Sequence, residues 1–133
     1  MPSVAYLLPG QGAQAVGMGK AFYDQFDEAK EVYRRANKRL GFDVTALCFE
    51  GPAEDLTKTE KCQPALFVTS LAAYAAFLKV VPRGLRPVAA AGLSLGELTA
   101  LAVAEAKVVP PATGSSTVTP VAASGPAFDT VIV

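Results

Sequence analysis

Residues 88–106, VAAAGLSLGELTALAVAEA, constrain the fold of this chain more than any other stretch. The run VAAAG is short, apolar and suited to a buried strand, whereas the residues from Leu95 to Ala106 are helix formers. Between them Ser94 stands at the spacing G-x-S-x-G, flanked by Gly92 and Gly96. A strand that feeds a helix through so tight a bend leaves no room for a Cβ on either side, so glycine is demanded at both flanks. The stretch therefore predicts strand, serine turn and helix, the geometry of a nucleophile elbow, with the Leu95 N–H at the helix start placed to help bind an oxyanion. Glu97 falls in the first turn, where a carboxylate meets the positive end of the helix dipole. The motif alone is a weak signal, and a serine that only lines a tight turn is the alternative it leaves open. Histidine, the usual base for such a serine, is absent from the sequence.

The remaining pattern is that of an α/β chain. SVAYLLPG reads as a buried strand ending in a turn, and it runs into a loop carrying Gly10, Gly12, Gly17 and Gly19. An amphipathic helix is expected over Asp27–Leu40, capped by Asp27, ended by Gly41 and carrying a Glu31–Arg35 pair; its charge run reads as a solvated face. A short helix over Val44–Phe49 is broken by Gly51-Pro52, and Pro64 is expected to open a long helix at its first position. That helix is uncharged from Cys62 to Leu78. Its length and its Gln63, Pro64, Thr69 and Ser70 favour a buried core helix over a membrane span.

Composition bounds the function. The chain has 133 residues, enough for one domain with a core, and 12 basic against 12 acidic side chains. Neither nucleic acid nor an anionic membrane is an expected partner. Cys48 and Cys62 lack the spacing and the histidines of a metal site, so no metal is expected and both read as buried free thiols. Met1–Ser3 gives no signal-peptide pattern, and a cytoplasmic location is the default expectation.

Three segments in order, YLLPGQGAQAVGMG (6–19), GPAEDLTKTEKCQPALF (51–67) and AGLSLGELTALAVA (91–104), resemble the acyltransferase domains of fatty-acid and polyketide synthesis, in particular the malonyl-CoA:acyl-carrier-protein transacylase family. The resemblance implies that residues 1–106 are the N-terminal part of such a domain: a partial α/β-hydrolase-like, three-layer parallel sheet with flanking helices, lacking the family's ferredoxin-like subdomain. It implies Ser94 as the nucleophile, Gln11 and Leu95 as the oxyanion hole, and Gln63 near the same pocket. No bound cofactor is implied; malonyl-CoA, a coenzyme A thioester, is the substrate and acyl carrier protein the partner. Leu93 stands where the family usually has a histidine beside the serine. The family's malonyl-binding arginine and its distant catalytic histidine have no counterpart, so the chain is expected to be truncated and inactive alone. A non-catalytic remnant or interaction fragment is the alternative. A serine esterase would share the elbow but leave PGQG and CQPAL unexplained.

Residues 107–133 resemble nothing in that family. Rich in Pro, Ser and Thr, with only Lys107 and Asp129 charged, they are expected to form a flexible tail in which a few residues can add a strand, arising from frameshift, truncation or fusion. The sheet edges of the first 106 residues are accordingly expected to stand open.

Overall fold

The structure, a computed structural model, describes residues 4–82, 85, 87–105, 120–122 and 129–132. They fall into two compact units, Gln11–Val81 forming one, and the segments before and after it the other.

The second unit is a four-stranded sheet with one helix. Strand β1 (Val4–Leu8) pairs in parallel with β2 (Pro87–Leu93), which continues through Ser94 into helix α6 (Leu95–Glu105). Two further strands, β3 (Pro120–Ala122) and β4 (Asp129–Ile132), complete the order β1-β2-β4-β3. In β1 the side chains alternate: Tyr6 and Leu8 pack with Ala90, Ala100 and Leu101, while Leu7 points away and is 79% exposed. Small residues in β2 let α6 approach the strand closely, and Thr99 and Ala100 of α6 are fully buried.

Among the described residues parallel pairing is confined to β1 and β2. The sheet as a whole is mixed rather than parallel, because β4 runs antiparallel to β2 over Ala90–Leu93 and β3 runs antiparallel to β4. Antiparallel strands need no helical crossover, so two segments as short as PVA and DTVI suffice. The edge of β2 expected to stand open is occupied by β4. Of the stretch expected to be a flexible tail, the described residues are these seven, all in strands; the rest lies outside the described residues.

The helical unit holds α1 (Lys20–Gln25), α2 (Asp27–Leu40), α3 (Val44–Glu50), α4 (Ala53–Thr57) and α5 (Thr59–Val80). Helix α2 has the expected limits, and Gly41 ends it in the left-handed region at φ 71°. Asp27 is its first helical residue rather than its cap, and Glu31 pairs with Arg34, three residues on, at 2.6 Å instead of with Arg35. The long helix starts at Thr59, so Pro64 lies inside it. As the sixth helical residue it leaves the Glu60 carbonyl without its i+4 N–H, a loss of one intrahelical bond in the second turn.

Helix α5 is long and apolar enough to cross a membrane by length and composition. Here it is the core of its unit: Cys62, Ala65, Leu66, Val68, Ala72 and Ala76 are buried, α2, α3 and α4 pack on it, and Lys79 pairs with Glu28 of α2 at 2.8 Å. Tyr33 is fully buried at the centre, stacked edge-on with Tyr23 and hydrogen-bonded through its hydroxyl to Thr69 Oγ1 at 2.8 Å. The Cys48 thiol lies 3.7 Å from the same Thr69 oxygen. Burial pushes the Cys48 thiol above its ordinary value, only partly offset by hydrogen bonds to Thr69 and Tyr33, and raises Tyr33 likewise.

Leu56→Ala should therefore lower stability by about 3 kcal/mol and Tyr33→Phe by about 1 kcal/mol, read as shifts of the urea midpoint. Folding holds the Cys48 proton more tightly than the unfolded chain does, so stability should be intact below the ordinary thiol value and fall as pH rises past about 9. Unfolding midpoints measured from about pH 7 to about pH 10 should show the fall, and Cys48→Ala should reduce it, the raised Cys62 and Tyr33 supplying the remainder.

Candidate active site

Ser94 terminates β2 and precedes α6 with φ 56°, the only non-glycine residue in the left-handed region among those described. A β-substituted residue there is strained by roughly 1 kcal/mol, and such strain persists only where the surroundings over-determine it. Three close backbone approaches do so. A Cβ on Gly92 would overlap the Gly96 carbonyl, one on Gly96 would overlap the Leu8 carbonyl at the end of β1, and one on Gly10 would overlap the Leu93 carbonyl. The exit of β1, the end of β2 and the start of α6 thus meet with bare main chain between them. The Ser94 carbonyl accepts the Glu97 N–H at 3.0 Å, which closes the first turn of α6. Ser94 is exposed, whereas Leu95 is 8% exposed and its N–H belongs to the first turn, where no helical acceptor exists.

Gln11 and Gln63 belong to the helical unit. Gln11 is exposed, and its Nε2 donates to Thr59 Oγ1 at 3.2 Å. The adjacent Gly12 N–H donates to Gln14 Oε1 at 2.7 Å and also faces the Cys62 thiol. Thr59, Cys62 and Gln63 lie within one turn of α5, so the glycine-rich loop is seated on the turn that carries Gln63, itself exposed. Farther along, the Gly17 N–H donates to the Cys48 carbonyl at 2.7 Å, and Gly19 takes φ 82° against the Tyr33 hydroxyl.

Both thiols are buried, and burial raises the Cys62 pKa as it does that of Cys48. Neither is a ready nucleophile. Among the described residues no group of three or more His, Cys, Asp or Glu side chains is placed to hold a metal ion. Sequence reasoning singled out Gly10 as a loop glycine suited to close backbone approach, though not its approach to the Leu93 carbonyl, and it missed Thr59. Nothing in the sequence links Thr59 to Gln11, 48 positions away.

Over residues 5–111 the sequence matches the family described as acyl transferase domain. It is 44% identical over 106 residues to the malonyl CoA-acyl carrier protein transacylase of Bacillus subtilis (strain 168), covering 80% of this chain and 32% of that protein. Its identity to the mitochondrial malonyl-CoA-acyl carrier protein transacylase of Mus musculus is 46% over 101 residues, covering 75% and 26%. The fold matches the crystal structure of malonyl CoA-acyl carrier protein transacylase from Clostridium perfringens with a TM-score of 0.69 at 44% identity, covering 79% of this chain and 32% of that one. The chain spans about a third of the length of the relatives it matches.

The strained turn makes opposite predictions for neighbouring positions. Ser94→Gly should stabilise the chain by about 0.5–1 kcal/mol, because glycine takes positive φ without penalty. Gly96→Ala should destabilise it by about 2 kcal/mol or more, since the new Cβ meets main chain that cannot move aside. Thermal or urea melts of the two variants check both signs.

Proposed function

This chain belongs to the acyl transferase domain family, and we propose that it is the nucleophile-bearing part of a malonyl-CoA:acyl-carrier-protein transacylase. The observation that carries this reading is Ser94 held at positive φ between a strand and a helix start, the arrangement of a nucleophile elbow. The two paired strands and α6 are, in this reading, the first layers of a hydrolase-like sheet.

In the proposed reaction Ser94 Oγ attacks the thioester carbonyl of malonyl-CoA. The Leu95 N–H, with Gln11, stabilises the oxyanion as it forms; the C–S bond then breaks and coenzyme A leaves as its thiol, taking the proton lost by Ser94. The malonyl ester on Ser94 is next attacked by the phosphopantetheine thiol of acyl carrier protein, which restores the serine hydroxyl. No cofactor enters either half. In this reading Gln63, one turn along α5 from Thr59, lies near the same pocket. A reducing compartment suits the two free cysteines, and the cytoplasm is the proposed location.

The proton steps need a base, and the sequence offers no histidine. Base assistance is worth about 10²–10⁴ in rate, so these residues position the serine without fully activating it, and the base and the malonate-binding arginine come from outside the 133 residues. The missing histidine also favours a second reading, a non-catalytic remnant that keeps the turn without turnover.

Incubation with malonyl-CoA and acyl carrier protein, followed by intact mass spectrometry, separates these readings. The proposal expects a slowly formed adduct one malonyl group heavier, its loss in Ser94→Ala, and no transfer to the carrier protein. No adduct at all would favour the remnant, and rapid Ser94-dependent transfer by this chain would overturn the need for an outside base.

A further inference from the structure

The glycine-rich loop is anchored unevenly. Its far end is fixed by the Gly17 hydrogen bond to the Cys48 carbonyl and by the Met18 carbonyl, which accepts from the Tyr33 hydroxyl at 3.5 Å. Its near end carries Gln11 between Gly10 and Gly12, the latter at φ 110° with open space where a Cβ would stand. Flanked by glycines, an exposed glutamine has many rotamers to lose and little backbone stiffness to restrain it. What restrains it is the first turn of α5: Gln11 Nε2 donates to Thr59 Oγ1, and one residue on the Gly12 N–H faces Cys62, three positions along the same helix. That turn is itself firm, since the Cys62 N–H donates to the Lys58 carbonyl at 2.7 Å and Cys62 is buried.

From this juxtaposition we infer that Thr59 is a positioning residue for Gln11. A carboxamide nitrogen has two N–H groups; with one given to Thr59 the amide plane is fixed, and the second N–H and the loop main chain are presented in one orientation. The inference rests on the reading of Gln11 as an oxyanion donor. Preorganised donors act without reorganising during the reaction, so a freely rotating Gln11 would cost rate while leaving the fold intact. Thr59→Val keeps the β-branched shape and removes the acceptor; Thr59→Ser keeps the hydroxyl and removes only a methyl.

The test uses the full chain labelled with 15N in glutamine side chains. In the wild type the Gln11 side-chain amide should be slow to exchange and as rigid as its backbone. Thr59→Val should make it mobile and fast-exchanging, Thr59→Ser should restore it, and the urea midpoints should agree among the three. Formation of the Ser94 malonyl adduct should slow by about three- to tenfold in Thr59→Val, the effect of one hydrogen bond, and recover in Thr59→Ser. Thr59→Ala serves in place of Thr59→Val if that variant does not fold. A Gln11 amide equally mobile in wild type and variants would overturn the inference, as would an adduct rate unchanged when the amide is freed. If the wild type forms no adduct, the function proposed above fails while the amide measurements still decide the role of Thr59.

Discussion

Everything proposed for Ser94 depends on main chain touching main chain. At Gly10, Gly92 and Gly96 the absence of a side chain lets the end of β1, the end of β2 and the start of α6 come together with no Cβ between them. The consequence is a serine driven into the left-handed region at φ 56°, exposed at the tip of a bend and followed at once by an N–H with no helical acceptor. Packing beneath it is built for the same purpose: alanines at 90 and 100 meet Tyr6 and Leu8, so the helix lies close enough on the sheet for the turn to be sharp. A bulkier β2 would lift α6, and the turn would relax.

The helical unit solves a different problem, how to hold a loop that contains four glycines. Helix α5 serves as the rail. Its first turn takes Gln11 and Gly12, and a hydroxyl further along, Thr69, ties to Tyr33, whose own hydroxyl reaches Met18 at the loop's far end. The small side chains that let α2 pack on α5, Ala65, Ala72 and Ala76, also make α5 apolar enough to resemble a membrane span by composition, although here they line a protein core. Hydropathy cannot distinguish those two uses, because both demand side chains without charge.

Local geometry was therefore the legible part. The limits of α2, the Gly41 stop and the strand-turn-helix around Ser94 follow from periodicity and from where glycine is unavoidable, and all are present. Contacts between distant segments were not legible. The start of α5 was misplaced because proline at 64 reads as a first helical residue, whereas packing extends the helix back to Thr59. A strand added by a few residues after 106 was expected, but not the positions or the antiparallel pairing of β3 and β4, because three or four residues carry too little pattern to register among prolines and serines. Of the candidate site, Ser94 and Leu95 could be read from one motif, but the tether from Gln11 to Thr59 spans 48 positions and exists only in the folded chain.

A thioester offered to this protein meets hydroxyls, thiols and lysine amines, and thiols normally lead by intrinsic reactivity. Here Cys48 and Cys62 are buried with raised pKa values, while Ser94 is exposed on a strained turn beside a first-turn helix N–H. Position should outweigh reactivity. The most direct test is to locate the acyl group after exposure to malonyl-CoA by fragmenting the labelled chain in a mass spectrometer: the account predicts a single oxygen ester on Ser94, and a thioester on Cys48 or Cys62, or label scattered over surface hydroxyls, would contradict it.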